Sequence, residues 1–246
     1  MSGSSSLRRH LRCRLADANS TSTYSHDQIQ RFTALLKRVR AAGINVPTVS
    51  TDNSAALLTT TLTHFDPEEL LSQPGADSRG FVRVGGAIYC QRPAFRELKA
   101  VSTLVASVRH VAVLQRGESV GYDRAYVAPH AVRIATLTIG FADGYPRALG
   151  NGVGKVQIRG KVFPVAGNVC MDMLMVDLGP AYENDPAFEP VGASVSVGDT
   201  AVLWGPLNEE DGEGMVRLQD LAAELKTTQS SLTCGLDKLR VRRCFL

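Results

Sequence analysis

Residues 138–176 read TIGFADGYPRALGNGVGKVQIRGKVFPVAGNVCMDMLMV, the part of the chain densest in informative residues. An apolar strand ends at Gly140. The chain then turns through Phe141-Ala142-Asp143-Gly144-Tyr145-Pro146-Arg147, passes a short hairpin at Arg159-Gly160 and ends on Cys170-Met171-Asp172. Gly, Asp and Asn between Val/Ile-rich runs mark turns between strands. Glycine tolerates positive φ, and Asp or Asn side chains bond back to the backbone. The same pattern extends to both sides. Val101 to Leu114, Val132 to Ile139, Val156 to Val165 and Leu174 to Leu178 read as strands, and Val202-Leu203-Trp204 continues the series. Gln115–Glu118 and Val197–Asp199 read as tight turns. One helix, Leu218 to Leu225, and a basic strand at Arg240–Arg243 complete this half. Residues 99–246 are therefore expected to form a mostly antiparallel β domain.

Residues 1–98 follow a different pattern. Ser25-His26-Asp27-Gln28 has the S-x-x-Q form of a capping box. Behind it Ile29, Phe32, Leu35, Leu36 and Val39 recur at helical spacing, and Gly43 stands where a helix C′ glycine belongs. Val46–Ser50 reads as a strand, Asn53-Ser54 as the cap of a second helix, and Phe81–Val84 as a further strand running into Gly85-Gly86. Strand, helix and strand alternating with short links predict a parallel α/β architecture. Two features here are candidates for chemistry. Asn53-Ser54 lies at a strand-to-helix turn, where free N–H groups suit a phosphate, although most such residues only cap. Arg83 precedes Gly85-Gly86 at a strand end, where glycine lets backbone approach a ligand closely.

Composition limits the rest. The 246 residues suffice for one large domain or two modest ones, and 44% hydrophobic with 21% charged residues is globular composition. A net charge of +3 is too small to point to a nucleic-acid partner, and no apolar run approaches the ~18–20 residues of a membrane span. Five scattered cysteines without a CxxC argue against a disulfide framework or a zinc site and for a reducing, cytoplasmic compartment. The start, MSGSSSLRRHLRCRL, has the Ser/Arg-rich, acid-free composition of an organellar transit peptide, but no long acid-poor amphipathic stretch follows. The plainer reading is a loose chain end.

IGFADGYPR, followed by VQIRGKVFPVAGNVCMDMLMVDLG, resembles the C-terminal β domain of the alanine racemases, which carry IGYADGYPR and a V-C-M-D or V-A-M-D segment. Asp52-Asn53-Ser54-Ala55-Ala56 is similar to that family's phosphate turn. Phe81–Tyr89 resembles its VRPGIALYG strand, and Arg133-Ile134-Ala135-Thr136 matches RIAT. The likeness runs from about Ala16 to Leu246. It implies the C-terminal half of a TIM-type α/β barrel in residues 1–98, then the β domain in 99–246. It also implies pyridoxal 5′-phosphate as cofactor, a small amino-acid substrate interconverted between L- and D-alanine, and a homodimer. In the family a lysine on the first barrel strand holds the cofactor and works on one face of the substrate, and a tyrosine from the partner subunit works on the other. By motif, Ser54 binds the phosphate with the backbone of Gly85 and Gly86, Arg83 faces the pyridine nitrogen, and Met171 and Asp172 line the substrate site across the dimer.

The sequence departs from this pattern in ways that bear on activity. The tyrosine position of the GYADG motif holds Phe141, which has no ionisable hydroxyl. None of the six lysines falls on a segment matching the cofactor lysine, so covalent attachment at the family's position is not expected. Arg12 stands where a ring-stacking histidine is expected, Ser230 where a phosphate-binding tyrosine is, and Asn168 where an arginine is common. Tyr145 has its own counterpart in the family and is no evident substitute for Phe141. The expectation is a racemase-like chain with little activity alone. Its alternatives are a non-enzymatic partner that dimerises with a full-length racemase, or a racemase for another amino acid such as serine or lysine.

Overall fold

The computed structural model describes residues 10–13, 24–58, 79–89, 98–182, 184–188, 190–206 and 214–245. Glu183, Glu189, the Glu209–Glu213 loop, residues 73–78 and most of the Ser/Arg-rich start lie outside them. The chain divides into two compact units, Met1–Lys99 and Ala100–Leu246.

In the first unit, β1 (His10–Arg12), β2 (Thr48–Asn53) and β3 (Arg79–Arg83) form a parallel sheet in the order β1-β2-β3. Helix α1 (Tyr24–Ala41) buries Ile29, Phe32 and Leu36 with Val46 and Val49. Leu35, expected on that stripe, is instead exposed. The helix is already under way at Tyr24, so Ser25 lies in its first turn and not ahead of it as a cap. Its C-terminus is as predicted. Gly43 has φ +75°, its N–H donates to the Arg40 carbonyl and the Ile44 N–H to the Val39 carbonyl, which is a Schellman closure. Helix α2 (Ser54–Leu58) follows β2 directly. Among the described residues this unit has three parallel strands, which are consistent with α/β packing.

Among the described residues a closed barrel lies in the second unit, and it is antiparallel. Its strands are β4 (Leu104–Leu114), β7 (Val132–Leu137), β8 (Lys155–Ile158), β9 (Lys161–Ala166), β10 (Leu174–Pro180) and β11 (Thr200–Trp204). They run in the order β10-β7-β4-β11-β8-β9, and β9 pairs back with β10. Strand β8 meets β9 at Arg159-Gly160, the predicted hairpin, with φ of +51° and +81° at the two turn residues. Two short strands, β5 (Ser119–Val120) and β6 (Tyr126–Val127), form a separate ribbon. Closure removes the open edges that a sheet otherwise exposes.

Successive side chains of a strand point to opposite faces, and both faces here are used. Leu174, Val176 and Leu178 of β10 join Leu137, Val156, Ile158, Leu203 and Trp204 in the main core. Met175 points the other way into a second cluster with Ala166, Cys170, Val132 and Ile134, against which Val120 and Tyr126 of the ribbon pack. Helices α3 (Pro190–Ser194), α4 (Leu218–Glu224) and α5 (Gln229–Gly235) complete the unit. The second C-terminal helix, α5, was not expected. The predicted basic strand at Arg240–Arg243 is not formed and the segment is irregular. Its backbone is turned by Asp237, whose Oδ1 accepts the N–H groups of Leu239 and Arg240 at 2.8 and 2.9 Å.

Candidate functional site

The residues singled out by sequence fall into two groups, one in each unit. In the first unit, Asn53 Oδ1 accepts the N–H groups of Ala55 (3.0 Å) and Ala56 (3.1 Å), so Asn53 caps α2. Ser54 is then free for another task. Its buried hydroxyl oxygen accepts the Gly85 N–H at 2.9 Å and joins the two motif turns. A side chain at Gly85 would meet nothing within 4 Å, so the backbone there is open to approach. Arg83 donates from one guanidinium nitrogen to Ser50 Oγ at 2.6 Å and from the other to the Cys13 carbonyl at 2.8 Å. It spans from β3 across β2 to the end of β1. Gly86 continues the turn beside Gly85, and Arg12 is exposed on β1. No lysine stands on β1, β2 or β3.

In the second unit, the FADG motif forms a short 3-10 turn over Phe141–Asp143. The Phe141 N–H donates to the Cys170 carbonyl at 3.0 Å and the Ala142 N–H to the Met171 carbonyl at 2.8 Å. This lays the Phe141 turn along the Cys170-Met171 segment. Gly140 permits the approach, because a Cβ there would lie 2.4 Å from the Cys170 carbonyl oxygen. Gly144, at φ +95°, permits a second approach, since its Cβ would lie 2.2 Å from the Gly235 carbonyl oxygen. The result is an exposed lip. Phe141 is 39% exposed, Met171 59% and Met173 42%, and Asp172 is exposed beside them. Core packing is thus excluded for Met171.

Sequence reasoning missed what holds this lip. Asp143 is almost fully buried. Its Oδ2 accepts the Gly140 N–H at 2.8 Å and its Oδ1 accepts the Arg240 Nε–H at 2.8 Å. The bond to Asp143, and then its charge, hold the Arg240 guanidinium above its ordinary pKa. Nothing local announces a pair so far apart in sequence. Tyr145 lies in the turn read from the sequence, but its side chain packs inward. It is fully buried in the barrel core, its hydroxyl has no hydrogen-bond partner among the described residues, and burial pushes its pKa up. Asn168 bridges neighbouring loops, donating to the Tyr122 carbonyl and accepting from the Asn151 amide. Ser230 is exposed on α5. Among the described residues no cluster of His, Cys, Asp or Glu could hold a metal ion.

Phe141 can fill space at the lip but has no proton to give or take. The Ser54–Gly85 turn offers a hydroxyl proton, its oxygen being taken by the Gly85 N–H, with a guanidinium on the adjoining strand. A hydroxyl and a guanidinium together suit an anionic group.

Residues 101–245 match the family described as the C-terminal domain of alanine racemase, and residues 6–93 match its N-terminal domain. An alanine racemase of Treponema pallidum is 34% identical over 236 residues, covering 94% of this chain and 56% of the relative. One from Carboxydothermus hydrogenoformans is 35% identical over 194 residues, covering 76% and 46%. The solved alanine racemase of Streptomyces coelicolor superposes with a TM-score of 0.73 at 26% identity, over 94% of this chain and 54% of that one. The chain spans about half the length of the curated relatives it matches.

Proposed function

Given that this chain belongs to the alanine racemase family, we propose that it contributes the pyridoxal-phosphate turn and the β-domain lip of a racemase site, and that these 246 residues alone do not racemise alanine. The observation that carries the reading is the Ser54–Gly85 bond. It joins the NSAA turn to the strand-end glycines, the two motifs that the phosphate reading requires together.

The residues present fit one end of the cofactor. Ser54 supplies a hydroxyl whose proton is left to donate, since its oxygen takes the Gly85 N–H, and no side chain crowds Gly85. Arg83, held by Ser50 and the Cys13 carbonyl, keeps a permanent positive charge on the adjoining strand. A guanidinium does not give up its proton at working pH, so it can only donate to a ring nitrogen. When bound, the cofactor would supply the electron withdrawal that loosens the substrate's Cα–H bond. What this chain lacks is the proton traffic. Phe141 has no hydroxyl, and no lysine lies on the parallel strands. Losing one acid–base group typically costs about 10²–10⁴ in rate, and Phe141 cannot supply one at the lip. In the proposed arrangement the rest of the barrel, closed as a TIM-type cylinder, would come from outside these residues.

Purified protein is incubated with pyridoxal phosphate and L-alanine. The expected result is no D-alanine above the blank, with cofactor binding that inorganic phosphate displaces and Ser54→Ala weakens. Steady D-alanine formation overturns the reading of inactivity. Binding indifferent to phosphate and to S54A overturns the turn's role. A second reading is favoured by the exposed Phe141: the chain pairs with a full-length racemase and presents an inert residue to the partner's site. Co-expression with a full-length relative, followed by size exclusion, yields a mixed dimer on this reading, and its absence removes it.

A further inference from the structure

Phe141 and Met171 sit on opposite sides of one short backbone ladder. Among the described residues two backbone hydrogen bonds join them, from the Phe141 and Ala142 N–H groups to the Cys170 and Met171 carbonyls. A three-residue 3-10 turn has little rigidity of its own. Its position therefore depends on what grips it from the other side, which is the segment after α5. The Asp237 N–H donates to the Asp143 carbonyl at 3.0 Å. The Asp237 carboxylate in turn gathers the N–H groups of Leu239 and Arg240, a local turn that aims the Arg240 side chain back toward the lip. Arg240 Nε closes the circuit on Asp143 Oδ1 at 2.8 Å, while the second oxygen of the same carboxylate takes the Gly140 N–H. One carboxylate thus joins the C-terminal segment to the first residue of the lip turn. It is 12% exposed, so water competes weakly for it.

We infer that Arg240 is a positioning residue: acting through Asp143, it fixes where Phe141 stands relative to Met171 at the lip. The functional meaning of the lip rests on the family reading above, but the clamp does not. The D-alanine assay and the test below can therefore fail independently. The charge of Asp172 at the lip also acts on Arg240, but the hydrogen bond that Arg240 makes is to Asp143. Arg240 restrains the backbone that carries the lip side chains, and Asp143 does so as a fixed double acceptor.

The test is amide hydrogen exchange, resolved by peptide, on the full 246-residue protein and its variants. Arg240→Ala is expected to speed exchange of the amides of residues 140–144 at least tenfold, with the amides of β7 and β10 unchanged. Arg240→Lys, which keeps a cation able to reach the carboxylate, is expected to recover much of that protection. Asp143→Asn keeps an acceptor for Gly140 but loses the charge that holds Arg240. It should give a smaller rise in the same amides, and it serves as the test if R240A does not fold. The inference is overturned if exchange at 140–144 is the same in R240A as in the parent. It is also overturned if the loss spreads evenly over the barrel strands, or if R240K behaves as R240A does. Any of these would make Arg240 an ordinary contributor to stability or no contributor at all.

Discussion

The substitution Gly140→Ala tests the lip most directly. Gly140 has φ −149°, a conformation open to any residue, so the backbone itself imposes no strain. The obstacle is purely steric. An added Cβ would lie 2.4 Å from the Cys170 carbonyl oxygen and 2.5 Å from the Met171 carbonyl carbon and oxygen, all of them backbone atoms. Ordinary contact requires the ladder to retreat by about 1 Å, an overpacking that typically costs ~1–3 kcal/mol. The retreat also stretches the Phe141–Cys170 and Ala142–Met171 hydrogen bonds, each worth about 0.5–1.5 kcal/mol net. The sum is a loss of roughly 2–6 kcal/mol, or a fall in Tm of roughly 4–24 °C for a unit of this size. The protein supplies its own reporter, since its single tryptophan, Trp204, lies buried in the barrel core. Urea or thermal unfolding followed by Trp204 emission therefore reads this unit. Gly160→Ala is the comparison. That position has φ +81° with nothing within 4 Å, so only conformational strain applies, about 1 kcal/mol. If G140A unfolds within 0.5 kcal/mol of the parent, or no lower than G160A, the close approach of the lip to residues 170–171 is not a constraint and the reasoning fails.

Further outcomes follow from groups elsewhere in the fold. Both Tyr126 and Tyr145 are held above the ordinary phenol pKa, Tyr126 first by burial and then by its 2.6 Å bond to Asp177, Tyr145 by burial. The unfolded chain therefore releases these protons first. The stability they contribute is whole below pH ~10 and falls as pH rises beyond it, and alkaline titration of Trp204 emission should show the fall moving upward in Tyr145→Phe. Near neutral pH, Y145F should cost nothing and can gain about 1 kcal/mol in urea unfolding, because the hydroxyl it removes is buried without a partner. The Arg159 bond, then the Ser196 N–H, hold the Asp199 carboxyl below its ordinary pKa, so its contribution is present above the usual carboxylate range and lost as pH falls below it. Thermal scans of Asp199→Asn should differ from the parent near neutrality and converge with it in acid. Ser54→Ala leaves the Gly85 N–H without its acceptor and should cost about 1–2 kcal/mol in the first unit, measured by urea unfolding followed by circular dichroism.

What the sequence disclosed, and what it hid, follows from the range of the forces involved. The Schellman closure at Gly43 and the hairpin at Arg159-Gly160 were legible because each is decided by a few neighbouring residues. The strands β7, β8, β9 and β10 were legible because Val and Ile cluster where both faces of a strand are covered. Closure of those strands into a ring was not legible, because register and partner choice are not written in any one strand. The basic run at Arg240–Arg243 looked like a strand by composition. Its conformation is instead set by a bond from Arg240 to Asp143, 97 positions away. Leu35 fits a helical stripe by spacing yet faces outward, since the stripe that α1 buries is narrower than the one its sequence offers. Of the site, the residue types were visible from motifs, and the bond between Ser54 and Gly85 awaited the coordinates.

The ring of the second unit also dictates an order of events as the chain folds. Its hairpin partners, β8 with β9, are near neighbours in sequence and can meet quickly. Its last seam is not local. Strand β4 must find β11, joining Ala106 to Ala201 across nearly a hundred intervening residues. Such a seam carries a large loop-closure entropy and forms late and slowly. Until it forms, β4 and β11 each present an unpaired edge to other copies. While the ring stays open, these edges are where copies of the protein can pair with one another, and closure of the β4–β11 seam removes them.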